Sequence, residues 1–166
     1  GSQSTPSTKG RDPAMVSSKP RLGMGQVYRQ ASAEAKRRGD RRVSTEHIAL
    51  AMLVDPDSET ARALGVSLES ARAALDTLDS EALTSVGIEV INNPPSISGR
   101  KGERFRLTPA GRGVFTGLRR EAGGERLGVK HVLLALLSRE RPDPAAELFH
   151  AIGVDRTQVG NRLRAT

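Results

Sequence analysis

An all-α fold of two pseudo-symmetric four-helix repeats is predicted for this chain by three observations. The apolar residues are mostly Ala, Leu and Val, with aromatics at 2% and no Trp, so the core has to come from close aliphatic contacts between helices. Those residues recur at helical spacing between recognisable caps through most of the chain. One stretch, Ser44-Thr45-Glu46-His47-Ile48-Ala49-Leu50-Ala51-Met52-Leu53, also returns as Val129-Lys130-His131-Val132-Leu133-Leu134-Ala135-Leu136-Leu137. Each copy is followed by a polar segment with a proline and then by matching punctuation, Ala63-Leu64-Gly65-Val66-Ser67 and Ala151-Ile152-Gly153-Val154-Asp155. Two landmarks in the same order mark an internal repeat.

Residues 1–18 are rich in Ser, Thr, Pro and Gly without apolar periodicity and read as a disordered tail or expression remnant. The first repeat spans 19–82. From Leu22, the residues Val27, Ala31 and Ala35 define a helix that stops near Gly39, with Lys36-Arg37-Arg38 at its carboxyl end, where cations complement the helix dipole. Ser44 or Thr45 caps the next helix, and its continuous apolar run at 48–54 makes it the most buried element. Asp55-Pro56-Asp57 ends that run. Asp57 or Ser58 caps a short helix to Leu64, and Gly65 suits the left-handed closing position. Ser67 caps a fourth helix with Leu68, Ala71, Leu75 and Leu78 on one face.

Residues 83–104 lose helical periodicity, and Asn92-Asn93-Pro94-Pro95 with Ser96, Ser98, Gly99 and Gly102 reads as a linker. The run at 86–91 has strand-like composition but no partner, so it reads as extended chain or as an extension of the fourth helix. The second repeat, 105–166, opens with Thr108 as cap and Pro109 at the first helical position. Helices are predicted at 108–121, 129–139, 143–152 and 155–164. The first of these carries Gly111, Gly113 and Gly117, each costing up to about 1 kcal/mol relative to Ala, so it relies on packing of Val114, Phe115 and Leu118. Both repeats are expected to share one compact domain.

The net charge of +7 is unevenly spread: +7 over residues 1–42, −7 over 43–99, +5 over 100–126 and +2 over 127–166. Solvated Arg-rich helix faces account for this more simply than a nucleic-acid surface, and there are few aromatics to stack on bases. The absence of cysteine excludes disulfides and thiolate metal sites and fits a reducing cytoplasm. No apolar run approaches the roughly 20 residues needed to span a bilayer, so no membrane partner is expected.

No Walker A pattern, Gly-rich nucleotide fingerprint or His-Glu-x-x-His occurs. Neither an ATPase nor a protease is expected in this chain, and no cofactor. His47 and His131 occupy the same place in the two repeats, which suggests a two-histidine metal site. A repeated first-turn histidine more often makes a structural hydrogen bond, and no Asp, Glu or Cys recurs beside both in the sequence. His150 stands alone.

The Thr-Glu-His start, the leucine-rich helix and the Leu-Gly-Val stop, repeated in altered form, resemble the amino-terminal domain of the Clp protein unfoldases, especially the ClpC branch. Leu107-Thr108-Pro109-Ala110 is similar to that family's opening of a repeat, and the likeness covers about 22–164. The resemblance implies a non-catalytic domain that docks protein substrates or adaptors for a Clp system. Full-length Clp unfoldases carry their ATPase modules after this domain, so the chain is expected to be an excised domain or a stand-alone relative.

In ClpC relatives the Glu of this motif lies in a pocket that takes phosphorylated arginine, which implies Thr45 and Glu46 as ligand-binding residues here. There a carboxylate accepts the guanidinium, while helix amino termini and basic groups hold the phosphate. Val129 and Lys130 stand at the second copy, and a lysine repels a guanidinium, so at most one such site is implied. A carboxylate in a first turn also simply stabilises the helix dipole. Two alternatives remain open: a stand-alone decoy that sequesters ClpC ligands such as cyclic-peptide antibiotics, and a basic nucleic-acid-binding helical protein.

Overall fold

The computed structural model describes residues 22–85 and 106–165. The tail at 1–18, the run at 86–91 and the linker beyond residue 85 lie outside the described residues. A 3₁₀ turn, Met24–Gln26, leads into α1 (Val27–Arg38), which buries Val27, Ala31 and Ala35 on one face. It ends where Gly39 takes a left-handed φ of 82° and returns its N–H to Ala35 and Lys36. There follow β1 (Arg42–Val43), α2 (Thr45–Ala51), α3 (Glu59–Leu64) and α4 (Leu68–Ser85). The second half comprises β2 (Arg106–Leu107), α5 (Pro109–Thr116), α6 (Leu118–Ala122), α7 (Val129–Leu137), α8 (Pro144–Ala151) and α9 (Arg156–Ala165). The fold is all-α, and among the described residues no helix is long and apolar enough to cross a membrane.

The helix starts follow from local capping chemistry. Ser58 accepts from the Ala61 N–H at 3.1 Å, Ser67 from Ser70 at 3.0 Å, Thr108 from Gly111 at 3.0 Å and Asp155 from Gln158 at 3.0 Å. Each satisfies an amide that the first turn leaves without a partner. The same sequence spacing separates Gly39 from Gly123 and His47 from His131, and both glycines are left-handed helix stops. That agreement is the pseudo-symmetry of the two halves in backbone terms.

Four boundaries differ from the sequence reading. Helix α2 stops at Ala51, although residues 52–54 stay buried in the following turn, and α7 stops at Leu137. Helix α4 continues through Ser85, past the expected linker boundary at 83. The single helix expected at 108–121 is broken at Gly117, which closes α5 and opens α6.

A short parallel ladder pairs Arg42 with Arg106 and Val43 with Leu107, and the Thr108 N–H continues it to the Val43 carbonyl at 2.9 Å. Gly111 makes this approach possible, since a Cβ there would stand 3.0 Å from the Val43 carbonyl oxygen. The halves meet in one apolar core in which Ile48, Leu50, Met52, Leu133, Leu136 and Phe149 are buried. Ion pairs clamp α1 to α4: Arg72 grips the buried Glu34 at 3.0 and 2.5 Å, and Arg38 reaches Asp76 at 2.7 Å and also Asp79.

Candidate functional site

The first turn of α2 carries both residues singled out by the motif, and its geometry is set by His47. The Ser44 N–H donates to His47 Nδ1 at 2.9 Å, which leaves the ring proton on Nε2, and Nε2 donates to Asp40 Oδ2 at 2.7 Å. The second half repeats the device: Gly128 N–H donates to His131 Nδ1 at 2.9 Å, and His131 Nε2 meets Glu125 Oε1 at 3.2 Å. The hydrogen bond from His131, followed by the charge of Lys130, holds the Glu125 carboxyl below its ordinary range.

A carboxylate therefore does recur beside both histidines, contrary to the sequence reading. Asp40 stands seven residues before His47 and Glu125 six before His131, and the unequal offset hides the match. Both nitrogens of each ring are occupied, so the histidines act as clasps that lock the starts of α2 and α7.

Thr45 is fully buried, and its hydroxyl is committed within the fold. It donates to Asp143 Oδ2 at 2.9 Å and accepts the Ala145 N–H at 3.1 Å, joining the start of α2 to the start of α8. Glu46 stands differently. It is half-buried, and its Oε1, like Ser32 Oγ, is shielded from solvent with no hydrogen-bond partner among the described protein groups. A buried carboxylate oxygen without a donor is uncommon in a folded protein and calls for an explanation.

The start of α5 adjoins that of α2, because Thr108 Oγ1 donates to Ser44 Oγ at 3.1 Å. The first turn of α5 contains no acidic residue. An acceptor that has no donor thus lies in a first turn joined to a second helix start whose amide dipole carries no balancing negative side chain.

The sequence profile of the Clp repeat (R) N-terminal domain matches residues 23–152. The chain belongs to that family. Among solved structures it is similar to the N-terminal domain of the caseinolytic protease associated chaperone ClpD from Arabidopsis thaliana. The TM-score is 0.60 at 15% identity, over 82% of this chain and 86% of that one, a likeness of fold. No curated protein sequence matches the chain. A Clp N-terminal domain is a non-catalytic module that binds substrates and adaptors of Clp chaperones.

The two copies in this Clp domain are unequal where chemistry is at stake. Val129 and Lys130 occupy the places of Thr45 and Glu46, so the second copy has neither the hydroxyl that reaches across to Asp143 nor the carboxylate. The grooves differ as well. Beside α3, a groove of about 360 Å³ is lined by Leu53, Val54, Pro56, Ala61, Val66 and Leu68. In the second copy the equivalent positions are divided between a groove of about 310 Å³, lined by Leu137, Ser138, Glu140 and Arg156, and a smaller one of about 130 Å³, lined by Phe149, Val154 and Arg156. Where the first copy has Leu68, the second has Arg156, whose guanidinium caps the end of α7 through the Leu137 carbonyl at 3.1 Å and the Arg139 carbonyl at 2.5 Å.

Proposed function

We propose that this Clp domain recognises arginine-phosphorylated protein through one site, centred on Glu46, on behalf of a Clp unfoldase. The observation that supports the reading is the half-buried Glu46 carboxylate, whose Oε1 has no donor within the described protein: a guanidinium that meets this carboxylate supplies directed N–H donors, and Oε1 joins in once the side chain turns toward the ligand. Lys130 at the equivalent position limits the domain to one such site. In this reading Thr45 does not touch the ligand; through Asp143 it fixes the helix start that presents Glu46.

The apolar groove beside α3 supports a second reading, docking of an adaptor or peptide in the first half independently of phosphorylation. Co-precipitation with one defined protein, prepared with and without arginine phosphorylation, separates the two. Capture of the phosphorylated form alone, lost in Glu46→Gln, is the expected result. Equal capture of both forms would reject the phosphoarginine reading and favour the groove.

A further inference from the structure

The β1–β2 ladder places two arginines side by side. Arg42 and Arg106 are register partners, both exposed, while Val43 and Leu107 turn toward the core. In-register residues of adjacent strands project to the same face, roughly 5 Å apart at their origins, so the two side chains leave the ladder side by side. Like charges directly opposite each other weaken a ladder. Arg38, Arg72, Arg139 and Arg141 each reach a carboxylate within the fold. Among the described residues Arg42 and Arg106 reach none, and Arg41 beside them is exposed too.

We propose that Arg42 and Arg106 form a two-guanidinium clamp for a short acidic segment of a protein partner. Each planar fork binds a carboxylate with two parallel N–H donors, and an extended peptide presents every second side chain to one face. A Glu-x-Glu stretch therefore matches two adjacent forks. The surroundings favour a short segment over a long polyanion. Arg38 gathers Asp40, Asp76 and Asp79 next to the start of β1, and nucleic acid running past the clamp would meet those carboxylates. The clamp uses neither Glu46 nor a phosphorylated side chain, so it stands apart from the function proposed above.

Fluorescence anisotropy with a labelled Glu-rich peptide, its Gln-for-Glu counterpart and a single-stranded oligonucleotide of equal charge tests this. The wild type is expected to bind the Glu-rich peptide only, with affinity falling as salt rises, and Arg42→Gln/Arg106→Gln to weaken it about tenfold or more. Arg42→Lys, which keeps the charge and loses the fork, should fall between. Melting curves that match the wild type establish that each variant is folded. The proposal is overturned by no binding of the Glu-rich peptide, by equal binding in a folded double variant, or by tighter binding of the oligonucleotide through the same arginines.

Discussion

Thr45 and Asp143 lie 98 positions apart in the chain and share a hydrogen bond of 2.9 Å between the first turns of two helices in opposite halves. Asp143 Oδ2 also caps its own helix, accepting from Ala145 N–H at 3.0 Å, while its Oδ1 accepts from Arg139 Nε at 2.9 Å. One carboxylate thereby orders the start of α8, the loop before it and the start of α2. Thr45→Val should be tolerated in shape, since Val129 fills the matching place in the other copy, and it removes the link between the halves while Asp143 and the Ala145 N–H still pair with each other. Urea denaturation should show a loss of about 1 kcal/mol. Asp143→Ala removes the cap as well and should cost about 3 kcal/mol. Thr45→Val at wild-type stability would mean the halves are held by the core alone.

The Glu34–Arg72 pair makes a second test. Glu34 is buried, and Arg72 reaches it with two nitrogens across the α1–α4 interface. Arg72→Met strands a buried carboxylate and should destabilise by about 3 kcal/mol, whereas Glu34→Met/Arg72→Met should recover most of that loss. A double variant no better than the single one would contradict the view that desolvation of the stranded carboxylate dominates.

The glycines of α5 have opposite expected responses to alanine. Gly113→Ala meets only the end of the Arg139 side chain at 3.3 Å and should stabilise by up to about 1 kcal/mol. Gly111→Ala presses on the Val43 carbonyl, which the ladder and Thr108 hold in place, and should destabilise by about 1 kcal/mol despite better helix propensity. Thermal melts of the two variants decide it, and stabilisation by both would show that β1 yields.

Acid titration should find Glu125 through its depressed pKa. Because the folded carboxyl ionises below the unfolded one, its contribution is complete above the unfolded value and disappears as pH falls through the folded value. Glu125→Gln should therefore change stability above that window and converge with the wild type below it. In carboxyl NMR, Lys130→Gln should move the Glu125 titration part of the way back toward the ordinary range. No movement would remove Lys130 as a cause.

The parts of the fold that were legible in the sequence are those specified within a few residues. Ser58, Ser67 and Thr108 cap where side-chain type and spacing say they should, and Gly65 closes α3 with a positive φ. The ladder was not legible, because two residues per strand are too few to show alternation and the partners are far apart in sequence. Asp40 and Glu125 were missed because their offsets from the histidines differ. At the candidate site the sequence singled out Glu46 but not the shielding of its Oε1, nor the burial of Thr45 against a residue from the other half. Both of those depend on long-range packing.

Calorimetric titration of free phosphoarginine into the wild type, Glu46→Gln and Lys130→Glu tests the proposed site most directly. One site per chain in the wild type is the expected result, with affinity about tenfold lower or more in Glu46→Gln, for a lost charge-assisted hydrogen bond of roughly 1.5–3 kcal/mol. Lys130→Glu should add no second site unless the surroundings of Val129 also suit the ligand. Two sites in the wild type, or an unchanged affinity in Glu46→Gln, would contradict the account and leave Glu46 as a residue that only starts a helix.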